Sequence, residues 1–320
     1  MKMKLFVAPA LAGLLVLTAA RGAAATFVEK FSSDPLQGGW QIYGDTDLFQ
    51  WDSTNQNLAV TWDSAQTNSY FYRPLGVTLT TNDSFCVEFD LQLNDAVADQ
   101  YGNEVAVGLF HFSDATSPDF NRANGPQNLF EFDYTPAIDF GGYSEPDTIQ
   151  ATLKDSQPGY EGFYWTVDYL SLQPGITYRV LLVHRTGETV ISGNVYTNGQ
   201  FCAAMSIATV NGTVGGFDFD TLSVSSYQDD GYGDTLLAHG TVGHLAFATP
   251  LPVGALQATA PGQVQFASDT NWLYTLEQTA DFQTWTPAAP ATYGNGTNLI
   301  LQAANPPAGQ SFYRVRAELP

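Results

Sequence analysis

Short runs of aromatic and β-branched residues, broken by Gly, Pro, Asn and Asp, follow one another from residue 27 to residue 248. No sustained apolar repeat of about 3.6 residues, which would indicate an amphipathic helix, interrupts them. The pattern predicts an all-β domain. Ten or more strands in one domain are typical of a large two-sheet sandwich. The predicted strands include 58–62, 70–72, 85–93, 105–112, 129–134, 148–153, 178–184, 189–196, 217–224 and 242–247.

A different pattern begins after the proline-containing stretch at residue 250. Acidic residues become scarce, Ala and Gln become frequent, and short strand-like runs continue to the end of the chain. We therefore predict a linker at 250–254 and a small β module at 255–320, close to the lower size limit for independent folding. Its predicted core is Trp272, Tyr274, Leu276, Phe282, Trp285, Leu299 and Phe312.

The first 25 residues have the composition of an export signal. Lys2 and Lys4 precede an apolar run over 5–20, and three alanines at 23–25 form a small-residue cleavage site. The expected mature chain therefore occupies the periplasm, the cell surface or the medium. No later segment approaches the roughly 20 apolar residues that a membrane-spanning helix needs, so no span is expected after signal removal.

The chain is strongly acidic, with 32 Asp and Glu against 11 Lys and Arg and a formal net charge of −21. Loss of residues 1–25 removes three basic residues and no acidic one, and leaves only Lys30 and Lys154 as lysines. Such a surface repels polyanions, so nucleic acid is excluded as a partner.

Two carboxylates interrupt the apolar, aromatic strand predicted at 129–134. Side chains at positions i and i+2 of a strand share one face, so Glu131 and Asp133 are predicted to point the same way. A pair of acids on an otherwise apolar strand is the strongest candidate site in the sequence.

The larger domain resembles the concanavalin A-like lectin and glucanase superfamily. The resemblance is carried by the opening 31–36 with Trp40, by the strand 85–91, by the Glu131-Phe132-Asp133 strand and by the late segment 220–224. It implies a two-sheet jelly-roll sandwich over residues 26–249. The tail resembles a small C-terminal β module of exported proteins from Verrucomicrobia-type bacteria, through residues 279–285 and the closing Phe312-Tyr313-Arg314-Val315.

In the glucanases of this superfamily, Glu-x-Asp is followed by a second Glu four or five residues after the first. Resemblance implies Glu131 and Asp133 as the catalytic pair of an enzyme, but the second Glu is replaced by Thr135 or Pro136. Retaining hydrolysis needs two carboxyls about 5 to 5.5 Å apart. We therefore expect no catalysis; the alternative is a glucanase-like hydrolase whose acid is displaced to Asp139 or Glu145 in the following loop.

In legume-type lectins, Glu-x-Asp begins a two-metal site. Its remaining positions fall here on Thr135, Ala137, Gly141 and Thr148, so the resemblance does not carry the site over. A separate acidic loop, with Asp229, Asp230 and Asp234 around two glycines, is a candidate for a structural Ca²⁺ ion, since calcium prefers carboxylate oxygens. The alternative is a solvated turn.

The segment 160–165 combines Tyr160, Tyr164 and Trp165 with glycine and nearby proline, which predicts an aromatic loop able to stack on a sugar ring. The alternative is an aromatic edge strand that packs on the sandwich.

The first hypothesis is an exported, non-catalytic sandwich that binds a glycan or another cell-surface component. The predicted ligand-binding residues are Glu131, Asp133, Tyr160, Tyr164 and Trp165, with no cofactor required apart from the candidate calcium ion. The alternatives are the hydrolase and a structural cell-envelope protein. The sequence leaves open whether Cys86 and Cys202 form a disulfide.

Overall fold

The computed structural model describes most of the chain after residue 24. The described residues are 25–99, 104–120, 122, 128–140, 143–156, 163–186, 191–206, 216–229, 235–249, 256–268, 272–280, 284–306 and 311–318. Within them, no helix is long and apolar enough to cross a bilayer. The predicted linker and all of the predicted signal except Ala25 lie outside these residues.

Seventeen strands and one short helix, α1 (Phe112–Ala115), form the larger part of the described chain. The strands are β1 (Ala25–Glu29), β2 (Gln41–Tyr43), β3 (Phe49–Asp52), β4 (Asn57–Asp63), β5 (Ser69–Leu79), β6 (Phe85–Asp99), β7 (Val105–Phe110), β8 (Leu129–Thr135), β9 (Ile138–Phe140), β10 (Tyr143–Glu145), β11 (Thr148–Lys154), β12 (Phe163–Tyr169), β13 (Thr177–His184), β14 (Ser192–Thr197), β15 (Gln200–Ser206), β16 (Phe219–Ser226) and β17 (Thr235–Thr249).

Two antiparallel sheets contain all of these strands except the β9–β10 hairpin. One sheet has seven strands in the order β12-β11-β8-β7-β16-β5-β2. The other has eight, in the order β15-β14-β13-β6-β17-β4-β3, with β1 paired to β17. The predicted all-β sandwich is confirmed.

The core lies between the two sheets and is built by alternation along each strand. In β4, every second residue from Leu58 to Trp62 is buried while its neighbours are half-exposed. Trp40 stacks on Phe71 with ring centroids 4.7 Å apart. Burial of one such side chain contributes roughly 1.5–3 kcal/mol, which is why the apolar alternation determines which face of each strand turns inward.

Two predicted strands differ from the observed ones. The strand predicted at 105–112 ends at Phe110, because the chain turns into helix α1 after His111. The strand predicted at 242–247 is the end of a fifteen-residue strand, β17. Gly240 and Gly243 interrupt its apolar alternation, and glycine is a poor indicator of a strand.

The C-terminal part forms two small sheets around a second core. Its strands are β18 (Gln257–Ala260), β19 (Gln263–Ala267), β20 (Leu273–Thr279), β21 (Thr286–Pro287), β22 (Thr292–Tyr293), β23 (Asn298–Gln302) and β24 (Phe312–Glu318). Trp272, Tyr274, Leu276 and Leu299 are buried there as predicted. Trp285 and Phe312 are only half-buried and do not belong to this core, so the prediction was wrong for them. Phe282 lies outside the described residues. Ala248 of the larger sandwich belongs to the same cluster, and Cys86 packs against it.

Both cysteines are free thiols. Cys86 lies on β6 and Cys202 on β15, and two strands, β13 and β14, separate them in the sheet. Three strand spacings amount to roughly 14 Å, about twice the Cα separation that a disulfide tolerates. Burial also raises the pKa of the Cys86 thiol to about 12, so this thiol remains protonated at neutral pH.

Two glycines on β17 offer a matched test of this packing. A Cβ on Gly240 would lie 2.4 Å from the Gln92 carbonyl oxygen, whereas a Cβ on Gly243 would meet nothing closer than Asp90 Cβ at 3.9 Å. We expect Gly240→Ala to lower the free energy of unfolding by about 1–3 kcal/mol and Gly243→Ala to change it by less than about 1 kcal/mol. Urea unfolding measures both, and equal effects would contradict the described register of β6 and β17.

Candidate functional site

The carboxylate pair lies at the centre of the seven-stranded sheet. Phe130, Phe132 and Tyr134 of β8 point into the core, so the intervening Glu131 and Asp133 share the opposite, outer face, as predicted. Glu131 lies opposite Gly108 of β7 and Thr152 of β11. Both carboxylates are completely buried.

Glycine at position 108 permits this close arrangement. A Cβ there would lie 2.1 Å from the Phe130 carbonyl oxygen and 3.0 Å from Cγ of Glu131. A side chain at this position would displace the strand that carries Glu131, so only glycine fits beside it.

Arg122 is the cation that lies against both carboxyl groups. Its Nη2 lies 2.5 Å from Asp133 Oδ2, its Nη1 lies 2.9 Å from Glu104 Oε1, and its Nε lies 3.6 Å from Glu131 Oε2. One guanidinium thus interacts with three carboxylates at once. The Arg122 side chain is only 11% exposed, so these charges interact with little screening by water.

Neutral side chains complete the environment of the pair. Tyr227 donates its phenolic hydrogen to Glu131 Oε1 at 2.6 Å, and the Thr152 hydroxyl donates to Asp133 Oδ2. The Arg122 guanidinium carbon also lies 5.1 Å from the centre of the Tyr227 ring. Glu131 Oε2 and Asp133 Oδ1 are buried without a hydrogen-bond partner among the described residues, so the cluster is not fully satisfied.

The pKa values in this cluster follow from burial and from these neighbours. Burial raises the pKa of Glu131 to about 8, against the opposing effect of Arg122. For Arg122, burial acts to lower the pKa, but Asp133, Glu104 and Glu131 outweigh it and hold the pKa well above its usual range. Burial and the Arg122 charge lower the pKa of Lys154 to about 7.

An aromatic layer covers the rest of this outer face. Tyr70, Phe110, Leu129 and Tyr227 form a buried cluster, against which Phe112 and Phe120 pack. Phe120 stacks on Tyr227 with ring centroids 6.0 Å apart. The segment that contains α1 therefore helps close the outer face beside the carboxylates.

Glu131 and Asp133 make their hydrogen bonds and ion pairs with other side chains of the protein. A nucleophile for glycoside hydrolysis has to reach a sugar, and a partner carboxyl has to lie opposite it. Glu131 instead accepts a hydrogen bond from Tyr227 and lies beside Arg122. Among the loop acids considered as a displaced acid, Glu145 is exposed at the end of the β9–β10 hairpin, and the Asp139 side chain lies outside the described residues.

The predicted aromatic loop is in part a strand. Residues 163–165 belong to β12, the edge strand of the seven-stranded sheet, so the prediction of a loop was wrong for them. Trp165 pairs with Thr152, in line with Glu131, and Tyr164 pairs with Leu153. Tyr160 and the side chains of Tyr164 and Trp165 lie outside the described residues, so their role in sugar stacking stays a prediction.

The candidate calcium loop is described only at Asp229. Its backbone N–H donates to the Ser64 carbonyl oxygen, which ties the start of the loop to the end of β4. Asp230 and Asp234 lie outside the described residues. Within the part of the chain that the structure describes, no group of three His, Cys, Asp or Glu is placed to hold a metal ion. The calcium site stays a prediction.

Sequence reasoning missed a polar pocket of about 340 Å³ on the outer face of the eight-stranded sheet. Amides and hydroxyls dominate its lining: Asn55, Gln56, Asn57, Gln92, Thr177 and Thr241. All six are exposed or half-buried. They come from four strands and one turn that are far apart in the chain, and no local motif marks them.

No protein-family model and no curated protein sequence matches this chain. Solved structures do match. The Lotus tetragonolobus seed lectin is 10% identical, covers 71% of this chain and 98% of its own, and gives a TM-score of 0.44. Peanut lectin with a nine-residue peptide is 12% identical (71% and 97% covered, TM-score 0.45), and lectin II from Ulex europaeus is 13% identical (71% and 98%, 0.43).

The stacked antiparallel sheets of seven and eight strands are the two-sheet sandwich architecture that the sequence resemblance implied. Identities and TM-scores of this size carry no argument about the family, ligand or activity of this sandwich.

Replacement of Arg122 tests the charge balance of the cluster. Arg122→Met leaves buried carboxylates without their counter-ion, which costs about 3–5 kcal/mol. Arg179 is the matched control, because it pairs with Asp90 at 2.8 Å but is 48% exposed, and Arg179→Met should cost less than about 1 kcal/mol. Urea unfolding of both variants measures the difference, and equal losses would contradict the described burial of Arg122.

Titration of Glu131 predicts a specific pH dependence of stability. Its raised pKa means that the folded protein keeps a proton between about pH 4.5 and pH 8 that the unfolded chain releases. The resulting stabilisation is complete below the unfolded pKa and is lost as the pH rises through the folded pKa. Relative to Glu131→Gln, which does not titrate, the wild type should lose a few kcal/mol between pH 5 and pH 8. Urea unfolding of both proteins at pH 5 and pH 8 measures this loss. An equal difference in unfolding free energy between the wild type and Glu131→Gln at the two pH values would contradict the raised pKa of Glu131.

Proposed function

We propose that this chain is an exported, non-catalytic protein that binds a neutral glycan or another cell-surface component through its concanavalin A-like sandwich. The observation that carries the proposal is the burial of Glu131 and Asp133 against Arg122. The carboxylates that a glucanase mechanism would use are neutralised inside the protein, which favours binding over hydrolysis.

The two outer faces of the sandwich differ in a way that supports a binding role. Aromatic side chains and the Arg122 ion pairs fill the outer face of the seven-stranded sheet around β8. The outer face of the eight-stranded sheet instead has an open pocket rich in amides and hydroxyls. Sugars present many hydroxyl groups, each of which both donates and accepts, and such side chains match them.

Charge supports a neutral partner and an exported location. The formal net charge of −21 repels nucleic acid and anionic polysaccharides. The composition of residues 1–25 supports export, and the mature surface would then meet glycans outside the cytoplasm.

A glycan array probed with the mature chain, residues 26–320, tests the proposal. We expect binding to at least one neutral glycan. A calcium chelator should leave this binding unchanged. No products should be released when the bound polysaccharide is incubated with the protein. Glu131→Gln should bind as the wild type does, because Glu131 is buried and its hydrogen bond with Tyr227 can be kept by an amide oxygen.

Two results would overturn the proposal in different directions. Released oligosaccharides that disappear in Glu131→Gln would establish the hydrolase. Absence of binding to every glycan would favour the structural cell-envelope protein.

A further inference from the structure

We propose that the polar pocket on the eight-stranded sheet, lined by Asn57, Gln92, Thr177 and Thr241 among others, is the saccharide-binding site of this protein and takes one or two units of a neutral sugar. The inference rests on the proposed glycan-binding function and adds to it the site and the ligand class.

The pocket exists because strand β17 changes partners. Residues 237–242 of β17 pair with β4, whereas residues 245–249 pair with β1. Gly243 and His244 lie between the two ladders, where the register with β6 also shifts. His244 has a positive φ of 44°, as expected for a residue in a bulge. Lys30, just after the end of β1, and Asn57, at the start of β4, both line the pocket on the two sides of this gap.

A rigid turn supplies one wall. Asp52, at the end of β3, accepts hydrogen bonds from the backbone N–H groups of Thr54 and Asn55 at 2.8 and 3.0 Å. It also accepts one from the Asn55 side chain at 2.7 Å. The Asn55 side-chain amide is therefore held in place before any ligand arrives, which lowers the entropy cost of binding.

One wall residue has an unused acceptor. Asn57 Oδ1 is buried and has no hydrogen-bond partner within the described part of the chain. A buried polar atom without a partner costs roughly 1–3 kcal/mol, so its persistence calls for an explanation. Because this oxygen is closed to solvent, a ligand hydroxyl can donate to it only after the Asn57 side chain rotates toward the pocket, and that hydrogen bond would provide one.

Three ionisable side chains line the pocket, those of Lys30, Asp90 and His244. Arg179 donates to both oxygens of Asp90, at 2.8 and 3.0 Å, so this carboxylate is already paired. His244 Nε2 lies 3.6 Å from Glu88 Oε1. A charged ligand would have to compete with these pairs, whereas a neutral polyhydroxyl ligand would not.

The volume of the pocket and the residues that line it limit the class of ligand further. Ligand sites usually occupy about 300–1,000 Å³, and this pocket of about 340 Å³ is near the lower limit. Asp90 is the only carboxylate in its lining, which is too few for a hard cation that needs six or more oxygens. A short neutral saccharide unit meets both limits.

Two variants change the pocket by different means. Gly243→Val adds a side chain where a Cβ meets nothing closer than 3.9 Å, so it fills the pocket without a backbone clash. Asn57→Leu removes the unpartnered acceptor and should leave the thermal midpoint unchanged or higher, because no protein hydrogen bond is lost. Gly216→Val is the control, since that glycine also has open space around it and does not line the pocket.

The probes are the neutral glycans of the array together with maltose, cellobiose and lactose, measured by titration calorimetry or saturation-transfer NMR. We expect both pocket variants to weaken binding by about tenfold or more, the loss of one good hydrogen bond, while Gly216→Val binds as the wild type does. Thermal unfolding of each variant verifies that it is folded.

The outcomes separate this inference from the proposed function. Wild-type binding that persists in both Gly243→Val and Asn57→Leu would place the sugar elsewhere and overturn the inference, while glycan binding itself would stand. Wild-type protein that binds none of the probes would overturn both. If Gly243→Val fails to fold, Asn57→Leu alone decides.

Discussion

Two carboxylates buried at the centre of a β-sheet impose the strongest constraint on this structure. Isolated charges cannot remain in an apolar interior, so Glu131 and Asp133 require a cation and hydrogen-bond donors on the same face. Arg122, Tyr227 and Thr152 provide them. The segment that carries Arg122 must therefore fold back over the seven-stranded sheet, and the aromatic layer beside it excludes water.

This constraint assigns different roles to the two faces of the sandwich. On the seven-stranded sheet, Glu131 and Asp133 of β8 are buried against Arg122. A reaction that used these two groups would first require the cluster to open to the substrate. The eight-stranded sheet has its polar side chains at the surface, where Arg179 and Asp90 form an exposed pair beside an open pocket. The polar side chains of the second face are therefore accessible at the surface, whereas those of the cluster on the first face are buried.

Small backbone features position both regions. Gly108 allows β7 to approach the strand that carries Glu131 within a distance that no side chain would permit. The partner change of β17 at Gly243 and His244 opens a gap in an otherwise continuous sheet. In each case a local departure from regular strand geometry, and not an unusual side chain, sets the shape of the region.

The sequence by itself determined the all-β sandwich, most of its strands, and the shared face of Glu131 and Asp133, because alternation and apolar burial are local properties of a strand. It did not reveal that Arg122 lies against the pair or that a polar pocket lies over β4, β6, β13 and β17, and it left open whether residues 163–165 form a loop or an edge strand. Those features depend on which strands become neighbours. Strand pairing brings together residues more than two hundred positions apart, so only the tertiary structure decided whether a polar side chain is buried in an ion pair or exposed to a ligand.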